Sequence, residues 1–530
     1  MALATAHTIA LQGALGHLID VQADISPGTP GTTLVGRPDA SLNEARDRCR
    51  MAVSNSGVLW PATRRVTILL APSDLVKRGT HFDLAIALAV LAASGEVSQR
   101  SLDDTLVIGE LTLTGGLRSV PGVLPMVMAA SRRGFARVIV PEPQSREAAM
   151  VPGMSVLGMR SLAQVRAELR GEVVPDAEPV APMSGSRLIE WRGSQRLTEH
   201  DLTDLKGVVD VKYALEVAAA GGHHLMLSGP KGSGKTSLAE RLPGILPDLS
   251  VEESLELTAI HSLAGALEPG DELIRRPPFF APHHDATKAS LIGGGSGRVR
   301  PGEVSRSHCG VLFLDEFPLF RSDVIDALRQ PLESGEVTIA RGEESATFPA
   351  RGMVVMACNP CSCGEFSATL PGNQCTCTQL QRHHYSRKVT GPIHDRIDIL
   401  RHVLPPTRQE PAELPGESPE TSGVVRERVA AARERQQHRF EGRAWRLNSQ
   451  VPSAVLAREW PLPDAGTARL ESEVLAGRLS RRGAVRVHRV ALTVADLRAR
   501  DVPSASDVDT AFRLRQGEAL LQSSVMRRAS

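Results

Sequence analysis

Short β-branched runs and alanine-rich helical stretches alternate along the first 165 residues. ThrIleLeuLeu at 67–70, ThrLeuValIleGly at 105–109 and ArgValIleVal at 137–140 predict strands, whereas 82–93 and 123–133 predict helices. Together they describe a mixed α/β domain. Further on, HisLeuMetLeuSer (224–228), ValLeuPheLeu (311–314) and MetValValMetAla (353–357) are continuous apolar runs beside helical segments. Such runs suit strands buried on both faces, as in a mostly parallel sheet. After residue 420 the pattern turns helical throughout, with Arg-rich faces. Two polar interruptions, GEVVPDAEPVAPMSG at 171–185 and the Pro-rich stretch from Pro405 to Pro419, read as joints. The predicted layout is an N-terminal domain at 1–170, a linker at 171–199, an α/β core at 200–404, a second linker at 405–420 and a helical domain at 421–530.

Composition narrows the class. A chain of 530 residues exceeds one hydrophobic core and implies several domains. With 42% hydrophobic and 23% charged residues, it has the composition of an ordinary soluble globular protein. Against 61 Lys+Arg stand 60 Asp+Glu, so a globally basic nucleic-acid binder is excluded while local patches are not. No apolar run reaches the roughly 20 residues of a spanning helix, so no membrane partner is expected. The apolar start lacks a basic n-region and is broken by His7, Gln12, Gly13 and His17, which argues against a signal peptide and for a cytoplasmic location. Seven cysteines, four of them between Cys361 and Cys377, do not form a secreted disulfide framework.

The strongest chemical signal is Gly229-Pro230-Lys231-Gly232-Ser233-Gly234-Lys235-Thr236, a G-x-x-x-x-G-K-[ST] loop between an apolar strand and a helix start. Backbone N–H groups of such a loop curl around phosphates. Its lysine reaches the β/γ-phosphates, and its threonine hydroxyl ligates Mg²⁺. ATP and Mg²⁺ are therefore the expected cofactors. Gly310-Val-Leu-Phe-Leu-Asp315-Glu316 supplies the two carboxylates the loop needs, Asp315 for magnesium and Glu316 to polarise the attacking water.

From here the chain resembles the AAA+ ATPases, and more narrowly their magnesium-chelatase-like branch, the YifB/ComM family. The resemblance rests on PheAlaProHisHisAspAlaThr (280–287), GlyGlyGly (293–295), ProGlyGluVal (301–304) and ArgGlnProLeuGluSerGlyGluVal (329–337). AsnPro (359–360), GlyProIleHisAspArgIleAsp (391–398), LeuSerArgArg (479–482) and AlaAsp (495–496) continue it in order, so it spans essentially the whole chain. It implies a P-loop AAA+ core with a parallel sheet and a C-terminal helical lid. Asn359 then matches sensor 1, which orients the lytic water. Arg396 matches an arginine finger that acts on a neighbouring subunit, so a homo-hexameric ring is implied. Arg482 matches sensor 2, with Arg486 as a weaker candidate one turn on. An arginine suits these places because its fixed charge meets the spread negative charge of phosphoryl transfer. The stretch before Val311 resembles a helix-2 insertion, and 332–348 a hairpin before sensor 1. On charge, the GGGSGRVR loop with Arg298 and Arg300 is the better DNA-strand contact, and Arg341 on the acid-rich hairpin is a weaker one.

Residues 1–165 resemble the Lon-protease-like, ribosomal S5 domain 2-like α+β domain that this family carries ahead of its ATPase module. The Ser-Lys dyad of active Lon proteases is missing: Lys77-Arg-Gly79 is followed by Thr80, His81, Phe82 and Asp83, and the expected lysine position falls near Met126. A thioether cannot act as base, so peptide hydrolysis is not expected. The same fold in the repair protein RadA implies a DNA-binding scaffold. Cys361-Ser-Cys363 and Cys375-Thr-Cys377 are C-x-C pairs flanking a Gly/Pro-containing loop. They fit a structural zinc site, free thiols or a redox disulfide, with His383 and His384 as alternative ligands. The Arg-rich segment 424–440 reads as a solvated helix with i,i+4 pairs or as a DNA or subunit contact.

The resemblance thus implies a ring-forming ATPase that remodels single-stranded or branched DNA, as branch migration in recombination or natural transformation requires. The alternative is a chelatase-type motor acting on a protein or tetrapyrrole-linked partner.

Overall fold

The computed structural model describes residues 2–181, 200–268, 270–295, 299–341, 344–366, 375–390, 393–404 and 420–521. The expected joint at 405–419 and most of the first one, 182–199, lie outside the described residues. Residues 175–181 run along the N-terminal domain instead of leaving it. The carbonyls of Pro175 and Ala177 accept from Gln164 and Arg160, and Val180 is buried in that domain's core.

The N-terminal sheet is mixed. β1 (Ala2–Gln12) and β2 (Leu15–Ser26) form a long antiparallel hairpin, and β3 (Gly31–Val35), β4 (Arg65–Ala71), β5 (Thr105–Val107), β8 (Arg137–Pro141) and β9 (Ser155–Met159) complete the order β3-β4-β2-β1-β5-β8-β9. A small ribbon, β6 (Glu110–Leu111) and β7 (Leu117–Arg118), stands apart from it. Buried positions alternate along β2, as expected of a strand with one covered face. The helix Asp83–Ala93 is buried on almost every side against that face. It also accounts for the strand ending at Val107 when the sequence pattern runs to Gly109. The Gly109 N–H turns away to donate to His81, and its carbonyl accepts from Leu84, so these groups pin the helix start.

The second sheet is parallel throughout. β10 (Leu225–Ser228), β11 (Phe279–Phe280), β14 (Val311–Leu314), β17 (Met353–Cys358) and β18 (Ile399–His402) lie in the order β11-β14-β17-β10-β18. The three middle strands, β10, β14 and β17, are buried on both faces, which is why they read as unbroken apolar runs. Two ribbons are inserted: β12 (Gly293–Gly294) with β13 (Arg300–Pro301), and β15 (Glu336–Arg341) with β16 (Glu344–Pro349). The C-terminal helices Ser422–Arg439, Arg481–Leu497 and Ala505–Gln516 share one core with the helix Val209–Gly221, through residues such as Val429, Val487, Val490 and Ala218. No helix among the described residues is long and apolar enough to cross a membrane.

The N-terminal domain docks on the core in two places. Leu255 and Ala259 of the helix Val251–Ala264 join the cluster of Val123 and Val127, and Ser262 Oγ donates to the Glu147 carboxylate at 2.5 Å. The turn of the β1–β2 hairpin meets the second inserted ribbon. The Ala14 N–H donates to the Thr347 carbonyl, and Leu11 and Ala14 pack on Ala346 and Phe348. Gly13, at φ +62°, permits this approach, since a Cβ there would fall 2.7 Å from the Thr347 oxygen.

A buried polar knot ties the C-terminal helices to the sheet. Asp398 accepts from the His224 backbone N–H (2.8 Å) and from Arg486 (2.5 Å), and His223 Nε2 meets Thr493 at 2.7 Å. Burial alone would raise the Asp398 carboxyl, but Arg486 and the neighbouring histidines outweigh it and hold it well below the usual carboxylate range. Burial keeps His223, His224 and the separate His261 neutral down to about 4. The unfolded chain therefore binds more protons between about pH 6.5 and 4, and the stability these histidines contribute is lost as pH falls through that window. Thermal unfolding from pH 7.5 to 4.5 should shift steadily downward, and the shift should be smaller in His224→Gln; an identical pH slope in that variant would reject the assignment.

Candidate nucleotide site at the strand ends

Parallel strands deliver their C-terminal ends to one edge, and the residues expected to carry the chemistry collect there. Residues 229–236 follow β10. Gly229 needs its missing side chain, because a Cβ would lie 2.2 Å from the Val403 carbonyl oxygen. Gly232 and Gly234 hold φ of +78° and +87°, and a Cβ at either would meet only open space, so the backbone there is both left-handed and accessible. Gly234 caps the helix Lys235–Ala239. Lys235 is almost fully buried and folds over the loop, donating to the carbonyls of Gly229 and Pro230 at 2.8 Å each. Burial lowers its pKa, while Asp315 and Glu316 act in the opposite direction.

Asp315 and Glu316 follow β14. Thr236 Oγ1 donates to Asp315 at 2.9 Å, so the hydroxyl and carboxylate that would share a magnesium ion are already adjacent. Glu316 has φ +48° and ψ +41°, a left-handed conformation that an L-residue adopts at a cost of order 1 kcal/mol. The kink sends the two neighbouring carboxylates in different directions, one to Thr236 and the other toward His284, whose Nδ1 lies 4.0 Å away. Asn359 follows β17, the strand between β10 and β14, and so stands between the loop and the acidic pair.

The arginines lie elsewhere. Arg396 precedes β18, and β18 runs parallel to β10 in the register Leu225↔Ile399, so Arg396 is at the opposite end of the sheet from the loop of its own chain. Four residues of strand separate the two ends by on the order of 13 Å before any side chain is counted. Arg396 pairs with Glu333 at 2.8 Å, and the same carboxylate lies 3.5 Å from Arg482. Arg482 is largely exposed in the first turn of the helix Arg481–Leu497, which is capped by Ser480. Two arginines in a first turn oppose the helix dipole. Arg486, one turn on, is committed to Asp398 and the Asp395 carbonyl.

Among the DNA-contact candidates, Arg298 lies outside the described residues. Arg300 is exposed on β13, and Arg341 ends β15 in register with Glu344. The four cysteines Cys361, Cys363, Cys375 and Cys377 converge, with their sulfurs all within 4.8 Å of one another. In the N-terminal domain, Lys77 is buried and bonded to the carbonyls of Pro72 and Leu75, Thr80 donates to Glu110, and Met126 is fully buried. Sequence reasoning did not single out Glu333 or the placement of His284. Glu333 lies in the 329–337 motif, but its pairing was not legible because its two partners come from segments about 60 and 150 residues away.

Three family models match consecutive parts of the chain: subunit ChlI of Mg-chelatase over 21–144, magnesium chelatase subunit ChlI over 201–411, and the ChlI C-terminal region over 419–515. Fold and site thus define an AAA+-like α/β protein of the magnesium-chelatase type. The chain is 43% identical to the Mycobacterium tuberculosis protein Rv2897c over 97% of this chain and 99% of that one. It is 39% identical to Escherichia coli YifB over 98% of each, and 38% identical to the competence protein ComM of Haemophilus influenzae over 94% of each. It belongs to the magnesium-chelatase-like YifB/ComM family.

The backbone at Glu316 can be tested without reference to activity. Glu316→Gly and Glu316→Ala remove the same carboxylate, but only glycine accepts φ +48° freely, so the glycine variant should be the more stable of the two by about 1 kcal/mol in thermal or urea unfolding. Equal stability would show that the conformation is unstrained.

Proposed function

We propose that the chain is a ring-forming ATPase that couples ATP hydrolysis to remodelling of single-stranded or branched DNA. The observation that carries the ATPase reading is the Thr236–Asp315 contact at 2.9 Å beneath an open glycine loop, with Glu316 turned away beside it. Residues 229–234 would hold the phosphates through backbone N–H groups, with Lys235 neutralising the β/γ charge. Thr236 and Asp315 would hold Mg²⁺, which draws electron density from the γ-phosphate. Glu316 would accept the proton of the attacking water, and the Asn359 amide would orient that water.

Arg396 and Arg482 are remote from the loop of their own chain yet adjacent to each other, which supports their serving the nucleotide of a second copy and hence a closed ring. The DNA reading draws on the full-length similarity to a protein named for competence, and on the exposed Arg300 ribbon. Similarity that spans 98% of YifB and 94% of ComM favours it over a chelatase motor, since the Rhodobacter capsulatus magnesium-chelatase 38 kDa subunit matches 37% of this chain. Without a Ser-Lys dyad, we assign that domain a scaffolding role and no proteolysis.

The deciding experiment is ATP hydrolysis by wild type and Glu316→Gln, with and without a four-way DNA junction, at two salt concentrations. Junction stimulation that is lost in the variant and falls with salt supports the reading; hydrolysis indifferent to DNA removes its DNA half. Arg396→Ala should retain nucleotide binding and lose about a thousandfold in turnover. Mixing it with Lys235→Ala chains should restore part of that loss, because some interfaces then hold an intact loop opposite an intact arginine. Absence of any recovery would reject action between subunits.

A further inference from the structure

Four sulfurs meet beside the nucleotide loop. Sγ of Cys361 stands 3.2 Å from that of Cys363 and 3.7 Å from that of Cys375, and Cys363 and Cys375 are 3.6 Å apart. Cys377, bonded through its sulfur to Ser362 Oγ at 3.2 Å, completes a group in which all four sulfurs lie within 4.8 Å. Four thiolates around a tetrahedral zinc, at about 2.3 Å from the metal, stand about 3.8 Å from one another. The cluster is already close to that size. The sulfurs crowd as a group and not as two bonded pairs, which favours one shared ion over disulfides. A two-iron centre would hold its two cysteine pairs farther apart than this. His383 and His384 do not belong to the cluster.

The cluster also touches the proposed catalytic edge. β17 ends at Cys358, Asn359 follows, and Cys361 is fully buried two residues later. Gly364, in the turn after the first cysteine pair, accepts from the Lys231 N–H of the phosphate loop at 3.4 Å, and its own N–H donates to the Cys361 carbonyl at 3.1 Å. At φ +85° it packs so closely that a Cβ would come within 3.3 Å of the Lys231 Cβ and 3.8 Å of the Asn359 side-chain amide. Across the cluster, Arg382 of the helix after the second pair lies over the Phe366 ring at 4.4 Å. The two flanks are therefore adjacent, yet residues 361–366 and 375–377 contribute only Cys361 to the buried apolar core. Hydrophobic burial alone does not explain why so polar a segment is held against the loop.

We propose that Cys361, Cys363, Cys375 and Cys377 bind one structural zinc ion, and that this ion fixes the Gly364 turn against the phosphate loop so that Lys231 and Asn359 are held in place. The ion closes the segment by replacing the missing core, as metal binding does in other small polar units. It has no open coordination position and takes no part in the chemistry, so the four cysteines are positioning residues. Only the catalytic consequence rests on the ATPase reading; the metal site stands without it.

The test is zinc analysis by mass spectrometry of the full-length chain purified without chelator, for wild type, Cys375→Ser, Cys377→His and, as a control outside the cluster, Cys309→Ala. One zinc per chain is expected in wild type, Cys377→His and Cys309→Ala, and less than about a tenth in Cys375→Ser. Zinc absent from wild type, iron with visible absorption in its place, or zinc retained in Cys375→Ser overturns the site. Binding of a fluorescent ATP analogue and steady-state hydrolysis are then compared. Cys375→Ser should lose at least tenfold in turnover with its affinity for the analogue within about threefold of wild type, and Cys377→His should recover both zinc and turnover. Equal turnover with and without zinc overturns the positioning role. If wild type holds zinc but hydrolyses no ATP, the ATPase reading fails and the zinc assignment survives.

Discussion

A parallel sheet has a direction, and that constraint organises the rest of this molecule. Because β10, β14 and β17 run the same way, the phosphate loop, the acidic pair and Asn359 emerge at one edge although about 80 and 120 residues of chain separate them. The same constraint puts Arg396, which precedes β18, at the other edge. One geometric rule thus gathers most of the proposed site at one edge and keeps Arg396 away from it.

Stability and site geometry are linked through polar groups buried where the helical domain meets the sheet. Asp398 sits at the start of β18 and binds both the His224 backbone and Arg486. Such a buried pair adds little net stability compared with an apolar contact, but losing one partner leaves a charge unmatched in the interior. The helix that carries Arg482 is therefore held in a defined position relative to Arg396 and Glu333. The left-handed backbone at Glu316 and Arg482 in a helix first turn are local costs, and both fall at residues of the proposed site.

The N-terminal domain packs directly on the core. The Val251–Ala264 helix and the inserted β15–β16 ribbon are the elements that meet it. The ribbon meets the turn of the β1–β2 hairpin, whereas the helix meets the helix Val123–Ser131 and Glu147.

Much of this was legible in the sequence, and for identifiable reasons. A glycine loop ending in Lys235-Thr236 and an apolar strand ending in Asp315-Glu316 are local patterns, since backbone approach and strand burial dictate residue type within a few positions. Strands β10, β14 and β17 were readable because burial on both faces leaves an uninterrupted apolar run. The C-x-C spacing already brought the four cysteines together as possible ligands of one ion, and the structure adds that their sulfurs converge. The tertiary structure alone decided what depends on long-range juxtaposition. That Glu333 serves both Arg396 and Arg482, and that Arg486 is committed to Asp398, follow from packing between segments far apart in the chain. No periodicity or spacing encodes such contacts, because each partner looks locally like any other polar surface residue until the fold brings the second one to it.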